Sequence, residues 1–199
     1  LVFGKGERCE GMESKDEIYI SGDADIYIYA SDDAINSGGN LIMNNGKLYA
    51  YSANNDGIDG NKGIIINGGT VIANGSGSPE QGIDCDFDSN LRITGGTVVS
   101  IGGIVRGKPN VPRNKFSTQQ TIVWSGIELK RDSYITLFDD KNNAILSYKL
   151  PRDITPAGVV ISSPLLKKEG TYTLSTSDAP ASGTHIGNGL FADGKCTAA

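Results

Sequence analysis

The sequence predicts an all-β parallel β-helix, and three observations carry that prediction. A short phrase recurs four times, as Gly11-Met12-Glu13, Ala34-Ile35-Asn36, Gly57-Ile58-Asp59 and Gly82-Ile83-Asp84, at steps of 23, 23 and 25 residues. Each copy is followed by short apolar strands and Gly-rich turns, as in a solenoid whose rungs hold only strands and turns. No window shows the apolar period and caps of an amphipathic helix.

Aligned on Met12, Ile35, Ile58 and Ile83, a second strand follows at residues 18–20, 41–43, 64–66 and 91–93, and a third at 26–28, 48–50, 71–73 and 98–100. Each rung of about 23 residues therefore has three short strands. Strand side chains alternate between faces, so Ile18/Ile20, Leu41/Met43, Ile64/Ile66 and Leu91/Ile93 point inward and stack as aliphatic columns. Asn44 and Asn67 fall at one turn and form an amide ladder. The repeat stops after residue 103, where a Pro-containing stretch around Lys108 to Lys115 reads as a long loop.

Beyond that loop, strands are predicted at 121–124, 134–138, 144–150, 159–162 and 171–174, with Asp139 to Asn143 as a hairpin turn. The organisation is thus β-helix rungs over 1–103 and a C-terminal β extension over 104–199, continuous with the same domain. Irregular further rungs and a β cap both fit the extension; a solenoid end needs cover, which favours the cap.

An apolar fraction of 38% suits a thin solenoid core better than a broad globular one. A net charge of −5 with no basic stripe argues against nucleic acid. No apolar run is long enough to span a bilayer, so membrane insertion is not expected. The chain starts at Leu1 rather than Met, which fits removal of an export signal. Three cysteines form at most one bridge. Cys9 and Cys85 lie about three 4.8 Å rung steps apart, too far to bond, so any bridge pairs one of them with Cys196.

Stacking brings equivalent residues of neighbouring rungs to about 4.8 Å. Two positions before the inward Met/Ile stand Glu10, Asp33, Asp56 and Gln81; three before it stand Cys9, Asp32, Asn55 and Glu80; one after it stand Glu13, Asn36, Asp59 and Asp84. One edge of the helix is therefore a wall of oxygen ligands, extended by Asp86. Two unpaired carboxylates at that spacing repel by about 3 kcal/mol at an effective dielectric near 20. A bound divalent cation removes the repulsion, and calcium, with six to eight hard oxygen ligands in flexible geometry, suits the wall best. Zinc does not fit a chain with one His and no paired cysteines. The competing reading has each Asp or Asn filling a tight turn and bonding to backbone amides.

Tyr27 and Tyr29 in one rung and Tyr49 and Tyr51 in the next alternate with inward residues and face outward in two columns. Exposed aromatic rings in a row stack against the C–H faces of sugars; alternatively the C-terminal segment covers them as satellite core. Trp124 is expected to be buried. Catalytic groups are sparse: His185 sits in a Gly/Ser-rich tail, and no Ser or Cys lies in a nucleophile turn. Lys15, Lys47 and Lys62 lie near the acidic wall, where a Lys beside calcium is the base of β-helical uronate lyases.

These motifs, Cys9 to Lys15, Asp32-Asp33-Ala34-Ile35-Asn36, Asn55-Asp56-Gly57-Ile58-Asp59, Ile66 to Thr70 and Pro79 to Asp86, together resemble the calcium-binding, right-handed parallel β-helix carbohydrate-binding proteins of polysaccharide-degrading anaerobic bacteria. The resemblance spans about residues 5–103. It implies a right-handed, pectate-lyase-like fold, and a secreted or cell-surface protein that binds acidic or cellulosic polysaccharide, polygalacturonate or cellulose, without lyase activity. It also implies calcium on the acidic wall, with Asp32, Asp33, Asp56, Asp59, Asp84 and Asp86 matching the acidic motifs. The chain departs in having few rungs before Cys9, which implies a short or trimmed member. The expected function is non-catalytic, calcium-dependent polysaccharide binding; the alternatives are a calcium-dependent uronate lyase with a Lys base and a structural envelope protein.

Overall fold

A computed structural model describes residues 1–85, 90–112, 115–181 and 183–195. Strand β1 (Val2–Gly4) leads into four rungs. The first holds β2 (Met12–Ser14), β3 (Ile18–Ile20) and β4 (Asp25–Ala30). The second holds β5 (Ile35–Ser37), β6 (Asn40–Met43) and β7 (Lys47–Ser52). The third holds β8 (Ile58–Gly60), β9 (Gly63–Ile66) and β10 (Thr70–Asn74), and the fourth β11 (Ile83–Cys85), β12 (Asn90–Ile93) and β13 (Thr97–Gly102). Equivalent strands pair in parallel, in the register the repeat predicts: Met12, Ile35, Ile58 and Ile83 follow one another directly. The rungs form a right-handed parallel β-solenoid with three stacked parallel sheets. Its first sheet is β2-β5-β8-β11 and its second β3-β6-β9-β12.

The core is the set of aliphatic columns. Ile18, Ile20, Leu41, Met43, Ile64, Ile66, Leu91 and Ile93 from the second sheet meet Ile28, Leu48, Val71 and Val98 from the third and Ile35, Ile58 and Ile83 from the first, all buried. The small residue of the repeated phrase has a steric cause. A Cβ on Gly57 would stand 2.5 Å from the Gly82 carbonyl oxygen and 2.8 Å from the Asn74 nitrogen, so the backbone folds too tightly there for a side chain. At the corner between the second and third strands of each rung, Gly46, Gly69 and Gly96 adopt positive φ of 95°, 82° and 83°, a conformation that favours glycine. Beside them Asn67 Nδ2 donates to Asn44 Oδ1 at 2.8 Å and Thr94 Oγ1 donates to Asn67 Oδ1 at 2.7 Å. The predicted amide ladder is therefore present and one rung longer.

The later strands are β14 (Thr121–Leu129), β15 (Tyr134–Phe138), β16 (Asn143–Lys149), β17 (Ile154–Ser162), β18 (Thr173–Ser177), β19 (Thr184–Gly187) and β20 (Leu190–Lys195). They are not further rungs. β17 pairs antiparallel with β13, so the third sheet runs β1-β4-β7-β10-β13-β17-β14. That pairing covers the edge which parallel stacking leaves open after the fourth rung. The rest form a five-stranded antiparallel sheet, β18-β15-β16-β20-β19. The turn at Asp139 to Asn143 joins β15 and β16 as expected, with Asp139 Oδ1 accepting from the Lys141 and Asn143 N–H groups. Two compact units result: Leu1–Ile127 with Thr155–Leu166, and Glu128–Ile154 with the chain from Lys167 onward. No helix among the described residues is long and apolar enough to cross a membrane.

Candidate functional site

The acidic wall lies where the chain passes from the third strand of one rung to the first strand of the next. Parallel bonding continues through this corner: Gly11 N–H donates to Asp33 O, Ala34 N–H to Asp56 O and Gly57 N–H to Gln81 O, at 3.0–3.1 Å. Glu10, Asp33, Asp56 and Gln81 are thereby fixed as one column. Its side chains run along it, the Asp56 N–H donating to Asp33 Oδ1 at 2.9 Å and the Gln81 N–H donating to Asp56 Oδ1. Asn36 Nδ2 reaches Asp33 Oδ2 at 3.2 Å. In the flanking column Asn55 Nδ2 donates to Asp32 Oδ1 at 2.7 Å. The backbone-amide reading of the aspartates is therefore realised at Asp33 and Asp56.

Turn chemistry leaves the charge unbalanced. Asp33 is 4% exposed and Asp56 7%. Burial first, and then neighbouring carboxylates, push Asp33 up to about 6 and Asp56 up to about 8, even though the Asp56 and Gln81 amides pull the other way. Glu10 rises to about 7 through burial and the charges of Asp33, Asp32 and Glu13. Glu80 rises through burial, Asp84 and Asp32. Glu10 Oε2 is enclosed with no hydrogen-bond partner among the described residues.

The third predicted column, Glu13, Asn36, Asp59 and Asp84, is also in direct register on the outer face of the first sheet. At its far end Asp84 is engaged by amides: Gln81 Nε2 at 2.9 Å and Asn110 Nδ2 at 3.1 Å both donate to its Oδ1. Asn110 also donates its N–H to Gln81 Oε1. Sequence reasoning missed Asn110, which sits in the long non-repeating loop where no column assigns a partner. Asp86 and Cys196 lie outside the described residues. Among the described residues, no three His, Cys, Asp or Glu side chains converge as a ready-made metal cluster. Oxygen donors available to a cation are thus one or two carboxylates at a time, helped by amide and main-chain carbonyl oxygens. Donors of these types are the kind a hard cation such as calcium takes.

The remaining candidates separate. Lys15 pairs with Glu13, and that hydrogen bond and charge hold its ammonium above the ordinary lysine range. Lys62 is exposed, and its charge acts on Glu17. His185 packs against Phe191, ring centroids 4.9 Å apart. Cys9 and Cys85 are not bonded to each other, and the Cys9 thiol donates to the Lys5 carbonyl at 3.2 Å, while the expected partner Cys196 lies outside the described residues. Trp124 is half-buried in β14 rather than enclosed.

The tyrosines stand in the predicted register, Tyr27 beside Tyr49 and Tyr29 beside Tyr51. They do not form an open platform. Tyr49 is 6% exposed, and its neighbours along that outward column, Ile72 and Val99, are buried too. Tyr29 packs among Phe3, Tyr49 and Tyr51 at centroid distances of 5.3–5.9 Å. Of the two readings left open for these rings, Tyr49 follows the covered one and is a packing residue, while Tyr27, Tyr29 and Tyr51 keep partial exposure. Set against family models, curated proteins and solved structures, the chain matches none, and its fold and site stand on their own geometry.

Proposed function

We propose that this solenoid binds calcium along its acidic corner and holds polysaccharide without catalysing its cleavage. The observation that carries the proposal is the column of mutually repelling carboxylates Glu10, Asp33 and Asp56, in which the two aspartates are buried and the half-buried Glu10 has one enclosed oxygen without a hydrogen-bond partner among the described residues. Buried charges are ordinarily paired or bound to metal. Glu10, Asp32, Asp33, Asp56 and Glu80 would hold the ion, with Glu13, Asp59 and Asp84 on the neighbouring face, and Asn36 and Asn55 supplying amide oxygens. A bound divalent cation would neutralise the wall and give uronate carboxylates a point of attachment on an acidic protein. The resemblance of the rung motifs to calcium-binding β-helix carbohydrate-binding proteins supports the same reading. Weak calcium sites of this kind suit the millimolar calcium outside cells, and we place the protein at the cell surface or beyond it.

A lyase would need a lysine ready to accept a proton. Lys15, held above its ordinary range by Glu13, is shifted the wrong way for that role. Thermal unfolding in calcium and in chelator tests the metal half of the proposal, and retention on polygalacturonate and cellulose tests the glycan half. A calcium-dependent rise in midpoint together with retention is expected. An unchanged midpoint would return the wall to turn chemistry, and absence of retention on every glycan tried would end the binding proposal.

A further inference from the structure

The outer face of the second sheet contrasts with that of the third. Its outward column is Tyr19, Ile42, Ile65 and Arg92, in direct register from rung to rung. Tyr19 is 64% exposed with its hydroxyl donating to Glu17, and Ile42 and Ile65 keep partial exposure, whereas Tyr49, Ile72 and Val99 on the third sheet are buried. The stripe ends in positive charge. The Arg92 guanidinium lies 5.1 Å from the centroid of the Phe116 ring, and Lys115 Nζ lies 5.5 Å from the same ring. Arg92 Nε is enclosed without a hydrogen-bond partner among the described residues. The exposed amide ladder that starts at Asn44 borders the stripe on one side.

We infer that this stripe is the glycan-binding face, and that its occupant is an acidic polysaccharide. The inference rests on the polysaccharide-binding reading and moves the contact surface away from the tyrosine columns of the third sheet. Two features select the occupant. Apolar side chains recurring at about 4.8 Å along a straight line match a stiff linear ligand that presents C–H faces and hydroxyl edges along its length. Arg92 and Lys115 give local charge complementarity to a uronate carboxylate on a protein whose net charge of −5 would otherwise repel a polyanion. The guanidinium presents the planar donor fork that a carboxylate accepts.

The test measures polygalacturonate affinity, in calcium, for the wild type, Tyr19→Ala, Lys115→Glu and Tyr51→Ala, with the unfolding midpoint of each. Both substituted stripe residues are exposed, so their folds are expected to be intact. Tyr19→Ala is expected to weaken binding about fivefold through the lost aromatic contact. Lys115→Glu is expected to weaken it about tenfold at low salt, with the difference closing as salt rises. Tyr51→Ala, on the third sheet, should retain wild-type affinity. If the wild type binds but the stripe variants bind equally well at unchanged midpoints, the stripe is not the site while the binding reading survives. If the wild type itself does not bind, both fall. If sedimentation shows a dimer that Tyr19→Ala dissociates while glycan affinity is unaltered, the face joins two copies of the chain and the inference is overturned.

Discussion

Asp56→Asn in calcium-free protein gives the sharpest reading of the acidic column. Asp56 is nearly enclosed, and its carboxyl holds its proton up to about pH 8, against an ordinary value of 3.8. An acid whose folded value lies above its unfolded value binds more protons when folded, so raising the pH destabilises the fold. The contribution is fully present below about pH 3.8, declines by about 1.4 kcal/mol per pH unit and levels off above about pH 8. Taken alone, that shift sets a ceiling of about 6 kcal/mol, and Asp33, pushed the same way, is coupled to it rather than additive. Asparagine keeps an oxygen to accept the Gln81 N–H and removes the charge. In chelator at pH 8 the variant should therefore unfold several degrees above the wild type, and the two should converge near pH 4. In calcium the order should reverse, because asparagine discards an anionic ligand. Differential scanning calorimetry from pH 4 to 8, with and without chelator, follows both arms. A variant no more stable than the wild type in chelator at pH 8 would show that the buried carboxylate carries no unrelieved charge, and the reasoning from column to cation would fail.

Other substitutions probe the scaffold around that column. Ile64→Ala, in the centre of the aliphatic stack, should cost about 2–5 kcal/mol in denaturant unfolding, because the rungs above and below limit collapse of the cavity. Gly57→Val should prevent or severely weaken folding, measured by soluble yield and circular dichroism, since even a Cβ there would stand 2.5 Å from the Gly82 carbonyl. Asn67→Ala, which removes the middle of the Asn44–Thr94 ladder, should cost about 1 kcal/mol and leave calcium binding untouched by titration calorimetry. Lys15→Ala should leave glycan retention at the wild-type level, and ultraviolet-absorbing unsaturated uronate formed by the wild type but not by this variant would reopen the lysine-base mechanism.

The rungs were legible because a period of 23 residues repeats every steric demand: the inward aliphatics, the small residue at the tight corner and the glycine at positive φ recur together. Strand positions in 12–102 consequently follow directly from alignment. Once the repeat ends, alternation still locates β15 to the residue, but it does not say what a strand pairs with. β17 joins the solenoid sheet across more than fifty residues of chain, and no local pattern marks it apart from β16, which joins the other sheet. β1, β19 and β20 escaped notice because three to six residues flanked by Gly and Lys carry little alternation. The acidic columns were readable as columns. Burial was not: periodicity shows that Tyr49 faces outward, while its cover depends on tertiary packing that the repeat does not encode.

The column also contains its own comparison. Asp33 and Asp56 each bond the next rung's amide through one oxygen, a task that an uncharged amide oxygen performs as well. In the fourth rung the chain does place a neutral residue in that column, Gln81, whose side chain instead turns to Asp84 and receives Asn110. A neutral amide is thus compatible with the corner, and the two enclosed carboxylates are not dictated by the fold. Ionising them in the metal-free solenoid is opposed by burial and by neighbouring carboxylates, so that at neutral pH Asp56 keeps its proton while Asp33, raised to about 6, is largely ionised at a cost. A sequence whose local choices otherwise agree with the fold breaks that agreement where another function requires it. Here the broken rule is a pair of enclosed carboxyl groups beside a Glu10 oxygen that has no hydrogen-bond partner among the described residues, and the proposed cation would restore the balance.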